Sequence, residues 1–211
     1  MIINRFIIIL FFIFHLQFLW AQKFELFLFV YESDQTESGA GHVAIAFGED
    51  TNHLIYYTKY RQRDGGGRKV ERCSLHEALT YDCTIIKTQS KTPSLVIYLP
   101  VENIALGELE KVSDFWHLKE PWTLFVNNCT DAVKRVLRKS KINPGFAFMV
   151  STPNELIEDM VENNQDKFKN QTYRCISGDL CFYLKNERNG VPQTLFGKRK
   201  KRNYIVNKPC F

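Results

Sequence analysis

From Lys23 onward, short apolar blocks alternate with polar or glycine-bearing breaks. Lys23–Tyr31 (KFELFLFVY) is dense in Phe, Leu and Val and predicts a buried strand. The polar segment Glu32–Gly41 separates it from Gly41–Phe47 (GHVAIAF), a second strand. A Gly48-Glu49-Asp50 turn then leads into His53–Thr58 (HLIYYT), a third strand that closes a hairpin. Arg61–Arg72, with three consecutive glycines, reads as a flexible loop. Ser74–Thr80 predicts a short helix, because Ser74 and Glu77 have the spacing of a capping box. Thr84–Gln89 and Ser94–Leu99 read as further strands.

After Pro100 the period changes. Ile104, Leu106, Leu109, Val112, Phe115 and Trp116 recur at helical spacing up to Pro121. Asn127–Lys139 is the clearest helix, with Ala132, Val133, Val136 and Leu137 on its apolar face. Ser151-Thr152-Pro153-Asn154 starts another, with Leu156, Ile157, Met160 and Val161 facing inward. The pattern weakens after Asn164, where Cys181–Leu184 and Tyr204–Val206 suggest short strands. Strands followed by helices without a linker or internal repeat predict one α+β domain.

The first 21 residues stand apart. Seventeen of them are apolar, with Arg5 ahead of the Phe6–Trp20 run and Ala21 after it. This is the layout of a secretory signal, and the run is short for a membrane span. The expectation is residues 1–21 as a signal, a domain over 22–164, and an irregular basic extension over 165–211, in a periplasmic or secreted protein. The alternative is an uncleaved N-terminal anchor. Charge is equally uneven. Lys185–Phe211 holds eight basic residues and one acidic, a net of +7 against +5 for the whole chain, so the remainder sums to −2. Lys198, Arg199, Lys200, Lys201 and Arg202 form a run suited to an anionic surface, although a solvated tail has the same composition. No aromatic residue interleaves it, so no nucleic-acid partner is expected.

Export would permit disulfides, and the close spacing of Cys73 with Cys83 and of Cys175 with Cys181 favours those two pairs. No CxxC pair, zinc-type spacing or glycine-rich phosphate loop occurs, so no metal or cofactor is expected. Cys129 is 46 residues from the next cysteine on either side, at the start of the predicted helix. Unpaired N–H groups and the positive dipole end there favour a thiolate, and the same N–H groups suit an oxyanion. Asn127 and Asn128 are candidates to cap that helix end and border such a site. His42 opens the second strand, from which an imidazole can exchange a proton with a facing thiol. His53 opens the third strand, where it would hold the His42 ring in one tautomer. The neighbouring alternatives for that role are Asn52, Tyr56 and Tyr57. Phe115, Trp116, Trp122 and Phe125 fit either the lining of a cleft beside Cys129 or core packing. His76 and His117 read as helix-surface residues.

Gly41-His42-Val43-Ala44-Ile45-Ala46-Phe47-Gly48, followed by Asn128-Cys129-Thr130-Asp131-Ala132-Val133, resembles the circularly permuted NlpC-type branch of the papain-like fold. The lecithin retinol acyltransferase group and Lnb-type periplasmic Cys/His domains are similar in the same places. The likeness spans Phe24 to Leu137 and departs at Val43 and at Asp131-Ala132. It implies an antiparallel sheet carrying the histidines, packed against a helix whose N-terminus carries the cysteine. It further implies Cys129 as nucleophile, His42 as its base and His53 as third member. The activity implied is that of a thiol hydrolase or acyltransferase working through a thioester. The substrate would be an envelope amide or ester, a cell-wall peptide first and a lipid second. The contrasting expectation is a non-catalytic envelope-binding or scaffold domain of the same fold.

Overall fold

The computed structural model describes residues 23–32, 41–60, 66–85, 92–146, 151–180 and Tyr183. The apolar leader, the short strand expected at Tyr204–Val206 and the Lys198–Arg202 run lie outside these residues. The described chain forms strands β1 (Phe24–Tyr31), β2 (His42–Gly48), β3 (Leu54–Lys59), β4 (Gly67–Cys73), β5 (Leu95–Val101) and β6 (Arg174–Ser177). Its helices are α1 (Leu75–Ile85), α2 (Leu106–Ser113), α3 (Cys129–Lys139), α4 (Pro153–Asn163) and α5 (Gln165–Lys169), with a π-helical turn at Asp114–Lys119 directly after α2. All strand pairs are antiparallel, in the order β4-β3-β2-β1-β5-β6. The fold is mixed α+β.

The density of apolar residues in β1 follows from its central place, because both faces of the sheet are covered. Leu26, Leu28 and Val30 of β1, Val43, Ile45 and Phe47 of β2, and Leu95, Ile97 and Leu99 of β5 pack toward α2, α3 and α4. The intervening Phe27, Phe29, Tyr31, Ala44, Ala46 and Val96 pack toward α1. Successive residues therefore serve two cores, and a one-residue slip in register would exchange them.

Several sequence expectations are corrected. Gly67–Cys73, read as part of a loop, is edge strand β4; the charged pairs on either side of Val70 suit an edge exposed to water. Gly67 is required there, since a Cβ would fall 1.8 Å from the His117 carbonyl oxygen. The Ser74–Glu77 capping box is present, with Glu77 N–H donating to Ser74 Oγ at 3.2 Å and Ser74 N–H to Glu77 Oε2 at 2.7 Å. The helix it starts runs on to Ile85, taking in the beginning of the segment read as the strand Thr84–Gln89. After β5 the helix begins at Leu106, because the strand continues through Pro100 to Val101. Of the extension expected either to pack on the domain or to trail it, residues 165–180 contain regular elements: Phe168 of α5 is buried in the core, and β6 pairs with β5. The strand expected at Cys181–Leu184 is not formed at Tyr183, which is helical and buried.

Cys73 and Cys83 are free thiols, as is Cys175. Cys73 Sγ donates to the Leu54 carbonyl and Cys83 Sγ to the Leu79 carbonyl, so each sulfur is turned toward a backbone acceptor rather than the other. Cys181 lies outside the described residues. Among those residues no helix is long and apolar enough to cross a membrane.

One buried cation fixes the π-helical turn. Lys59 has no exposed surface, and its Nζ donates to the carbonyls of Trp116, His117 and Glu120 at 2.9, 3.0 and 2.6 Å. Three acceptors match the three donors of an ammonium group. Burial pulls the Lys59 amine down to about 8, against the opposing influence of Glu120, so it remains largely charged at neutral pH. Lys59→Met would leave three inward carbonyls without this donor. We expect a loss of about 3 kcal/mol in urea-unfolding free energy, whereas exposed Lys111→Met should change it by less than about 0.5 kcal/mol.

Candidate active site

Two helix ends and two strand ends meet at the start of β2. Gly41, at φ 72°, makes the turn that delivers His42 to its strand; a side chain there would be strained in that left-handed conformation. His42 pairs with Tyr31 in the β1–β2 register, and their rings are 5.7 Å apart. By alternation His42 belongs with Ala44 and Ala46, on the α1 side of the sheet. Its ring accordingly meets Asp82 of α1, with Nε2 2.8 Å from Asp82 Oδ2 and 2.9 Å from Thr58 Oγ1. Thr58 also donates to Asp82 Oδ2 at 2.6 Å. Both Asp82 and Thr58 have no exposed surface.

Cys129 comes from the other layer. It is the first residue of α3, half-buried, and its thiol lies close enough to the His42 ring and the Val43 N–H to be stabilised by both. Since Asp82 and Thr58 occupy Nε2, the nitrogen facing the sulfur is Nδ1. Thr130 Oγ1 lies 3.9 Å from Cys129 Sγ. The capping box that opens α3 explains its precise start. Asp131 N–H donates to Asn128 Oδ1 at 3.0 Å, while Asn128 N–H donates to Asp131 Oδ2 at 3.3 Å.

The electrostatics follow from these contacts. Burial alone would push the Cys129 thiol up; the hydrogen bond and positive charge of His42, with the Val43 and Thr130 donors, outweigh it and bring the thiol below its ordinary value. Burial alone would lower His42, but its bonds to Asp82 and Cys129 raise it to about 10. These influences favour a thiolate beside an imidazolium, with Asp82 behind the ring.

Sequence reading named two of these residues and missed the third. His42 and Cys129 are brought together. His53 is not beside them: its ring is exposed and bonded to Asp50 Oδ1 and Oδ2 at 2.9 Å, because the hairpin turn carries it to the far end of β2. Nor do the alternatives fill the place. Asn52 is exposed in the same turn, and Tyr57 donates to Asp114 Oδ1 at 2.6 Å. Tyr56 lies near Asp82, but its buried hydroxyl closes no well-formed hydrogen bond; Asp82 Oδ1 and the Tyr31 and Tyr60 hydroxyls share that condition. Asp82 did carry a signal in the sequence. Leu75, Ala78, Leu79 and Asp82 fall on one helical stripe, which places an acid on an otherwise apolar face.

Asn128 is the helix cap, and its Nδ2 is committed to the Leu124 and Ser151 carbonyls. Asn127 is not a cap; its Nδ2 donates to the Glu120 and Pro121 carbonyls. Neither amide is left to donate to an oxyanion. His117, expected on a surface, is buried, and burial holds it down to about 3 despite its bond to the Ser113 carbonyl. It is neutral and stacks near Tyr57, 5.4 Å between ring centroids.

Comparison of the chain with protein-family models, with curated proteins and with solved structures gave no match.

Proposed function

We propose that the chain is a thiol hydrolase or acyltransferase with Cys129 as nucleophile, His42 as acid and base, and Asp82 as the residue that orients His42. The observation that carries this reading is the buried Asp82–His42 contact at 2.8 Å behind a thiol at a helix N-terminus. The order of a histidine strand before a cysteine helix, on an antiparallel sheet, supports a permuted papain-like arrangement.

In the first half-reaction the Cys129 thiolate attacks an acyl carbon. A carbon–sulfur bond forms, and the carbonyl oxygen gains negative charge near the first N–H groups of α3. His42 Nδ1–H gives its proton to the departing nitrogen or oxygen as that bond breaks, leaving a thioester. In the second, neutral His42 takes a proton from water or an acceptor hydroxyl, which attacks the thioester; the returning sulfur leaves as thiolate and the ion pair is restored. Asp82 and Thr58 keep Nε2 protonated throughout, so that Nδ1 is the nitrogen that exchanges protons. The substrate is an amide or ester of a cell-envelope component in an exported protein.

The test is acyl-enzyme trapping. Wild-type protein is mixed with p-nitrophenyl acyl esters and with cell-wall peptide fragments, quenched in acid and digested for mass spectrometry. An acyl adduct on Cys129 that turns over in water or to an added alcohol is the expected result. A freely reactive Cys129 that never carries an acyl group would reverse the reading in favour of a binding domain.

A further inference from the structure

We propose that the turn leading into Cys129 is a membrane-docking loop, which seats the protein on an anionic lipid surface with the thiol at the interface. Leu124, Phe125 and Val126 are consecutive and are 49%, 59% and 64% exposed. Phe115 and Leu118 of the π-helical turn add 42% and 38%. An isolated exposed apolar side chain is ordinary, whereas five within the fourteen residues before the nucleophile form a patch that water disfavours.

Much of the backbone flanking the tip of this turn is hydrogen-bonded from within. Thr123 and Asn127 bond across the turn in both directions, N–H to carbonyl, at 3.3 and 3.4 Å. Thr123 Oγ1 accepts from the Val126 and Asn127 N–H groups at 3.3 and 3.1 Å. Asn128 Nδ2 takes the Leu124 carbonyl, Asn127 Nδ2 takes those of Glu120 and Pro121, and Lys59 takes those of Trp116, His117 and Glu120. Polar backbone groups satisfied from within, beneath side chains that are apolar and outward, are what entry into lipid demands. A surface built to receive an extended peptide would keep such groups open for pairing.

The charges favour an anionic surface. Lys119 and Arg135 are exposed at the edge of the patch, Arg135 lying 4.3 Å from the centroid of the Trp116 ring. The neighbouring acids are engaged locally: Asp131 is held in the α3 capping box, Asp114 accepts from Tyr57 and lies 3.6 Å from Lys69 Nζ, and Glu120 acts on buried Lys59. The exposed rim is cationic, as contact with lipid phosphates requires.

Docking is independent of turnover; the implication that the acyl donor is a lipid rests on the function proposed above. The experiment uses full-length protein carrying Cys129→Ala, sedimented with phosphatidylcholine vesicles with and without one quarter phosphatidylglycerol. Binding is expected on the anionic vesicles and should weaken with salt. Phe125→Asp with Val126→Asp should weaken it at least about ten-fold, since two buried side chains are lost to the interface. Phe125→Leu should retain it. In the Cys129→Ala protein the same Asp pair should leave the urea-unfolding midpoint unchanged, which certifies that the fold is intact. Equal binding by the Asp pair would overturn the proposal and give the attachment to residues 1–21. Binding lost only on neutralising Lys198–Arg202 would overturn it in favour of the basic run. Docking without any acyl adduct on Cys129 would sink the proposed activity and leave the docking loop standing.

Discussion

Cys129→Ala will reduce turnover of any acyl substrate by at least about 10⁴-fold, because no other group can form the thioester. His42→Ala should come close to the same loss, and it also offers a readout that needs no substrate. At pH 6 the wild-type thiol, held below its ordinary value by His42, should react with iodoacetamide faster than an ordinary cysteine. Without the imidazolium only burial remains as the dominant influence, and it raises the thiol. A cysteine of ordinary pKa is about 0.3% ionised at pH 6, so labelling should slow by about 10²-fold. Mass-spectrometric rates on the two proteins decide the matter. Equal rates at pH 6 would show that His42 does not activate the sulfur.

The second large effect is expected at Asp82. Asp82→Asn keeps the shape of the side chain and removes its charge from behind His42. Burial then acts on the ring with less opposition, and His42 falls from about 10 toward or below its ordinary value. The sign of the pH dependence follows. The thiolate–imidazolium pair exists above the lowered thiol value and below the histidine value, so wild-type activity should rise on the acid side and decline only as pH nears about 10. In Asp82→Asn the alkaline limb should move to lower pH, with turnover at neutral pH lower by about 10² to 10⁴-fold. His53→Ala is the control, and should leave the profile where it was, since that ring is exposed and bonded to Asp50. A full pH profile of both variants separates loss of charge from loss of fold.

The helical half of this fold was legible because its signals are local. The Asn128–Asp131 and Thr152–Glu155 boxes mark the starts of α3 and α4, and the apolar stripes behind them give the buried faces. The central strands were legible because both of their faces are buried and few polar residues interrupt them. β4 was not, since an edge strand rich in Arg, Lys and Glu has the composition of a loop, and its strand state depends on pairing with β3. The same distinction governs the site. His42 and Cys129 each sit at an element start that their own neighbours specify. Asp82 lies 40 residues from His42 in sequence and reaches it only because α1 folds over the opposite face of the sheet. The local pattern placed an acid on an apolar stripe but did not say which partner it would meet.

Because α3 supplies the sulfur from one side of the sheet and α1 supplies the carboxylate from the other, the reactive pair spans the sheet rather than resting on it. No sub-assembly of the chain holds both halves. Peeling away either helix, with the rest of the sheet intact, would be enough to extinguish the low-pH reactivity of Cys129. The thiol is thereby a built-in gauge of cooperativity: its labelling rate reports the docking of both layers at once, and should collapse ahead of any probe that follows the central strands alone.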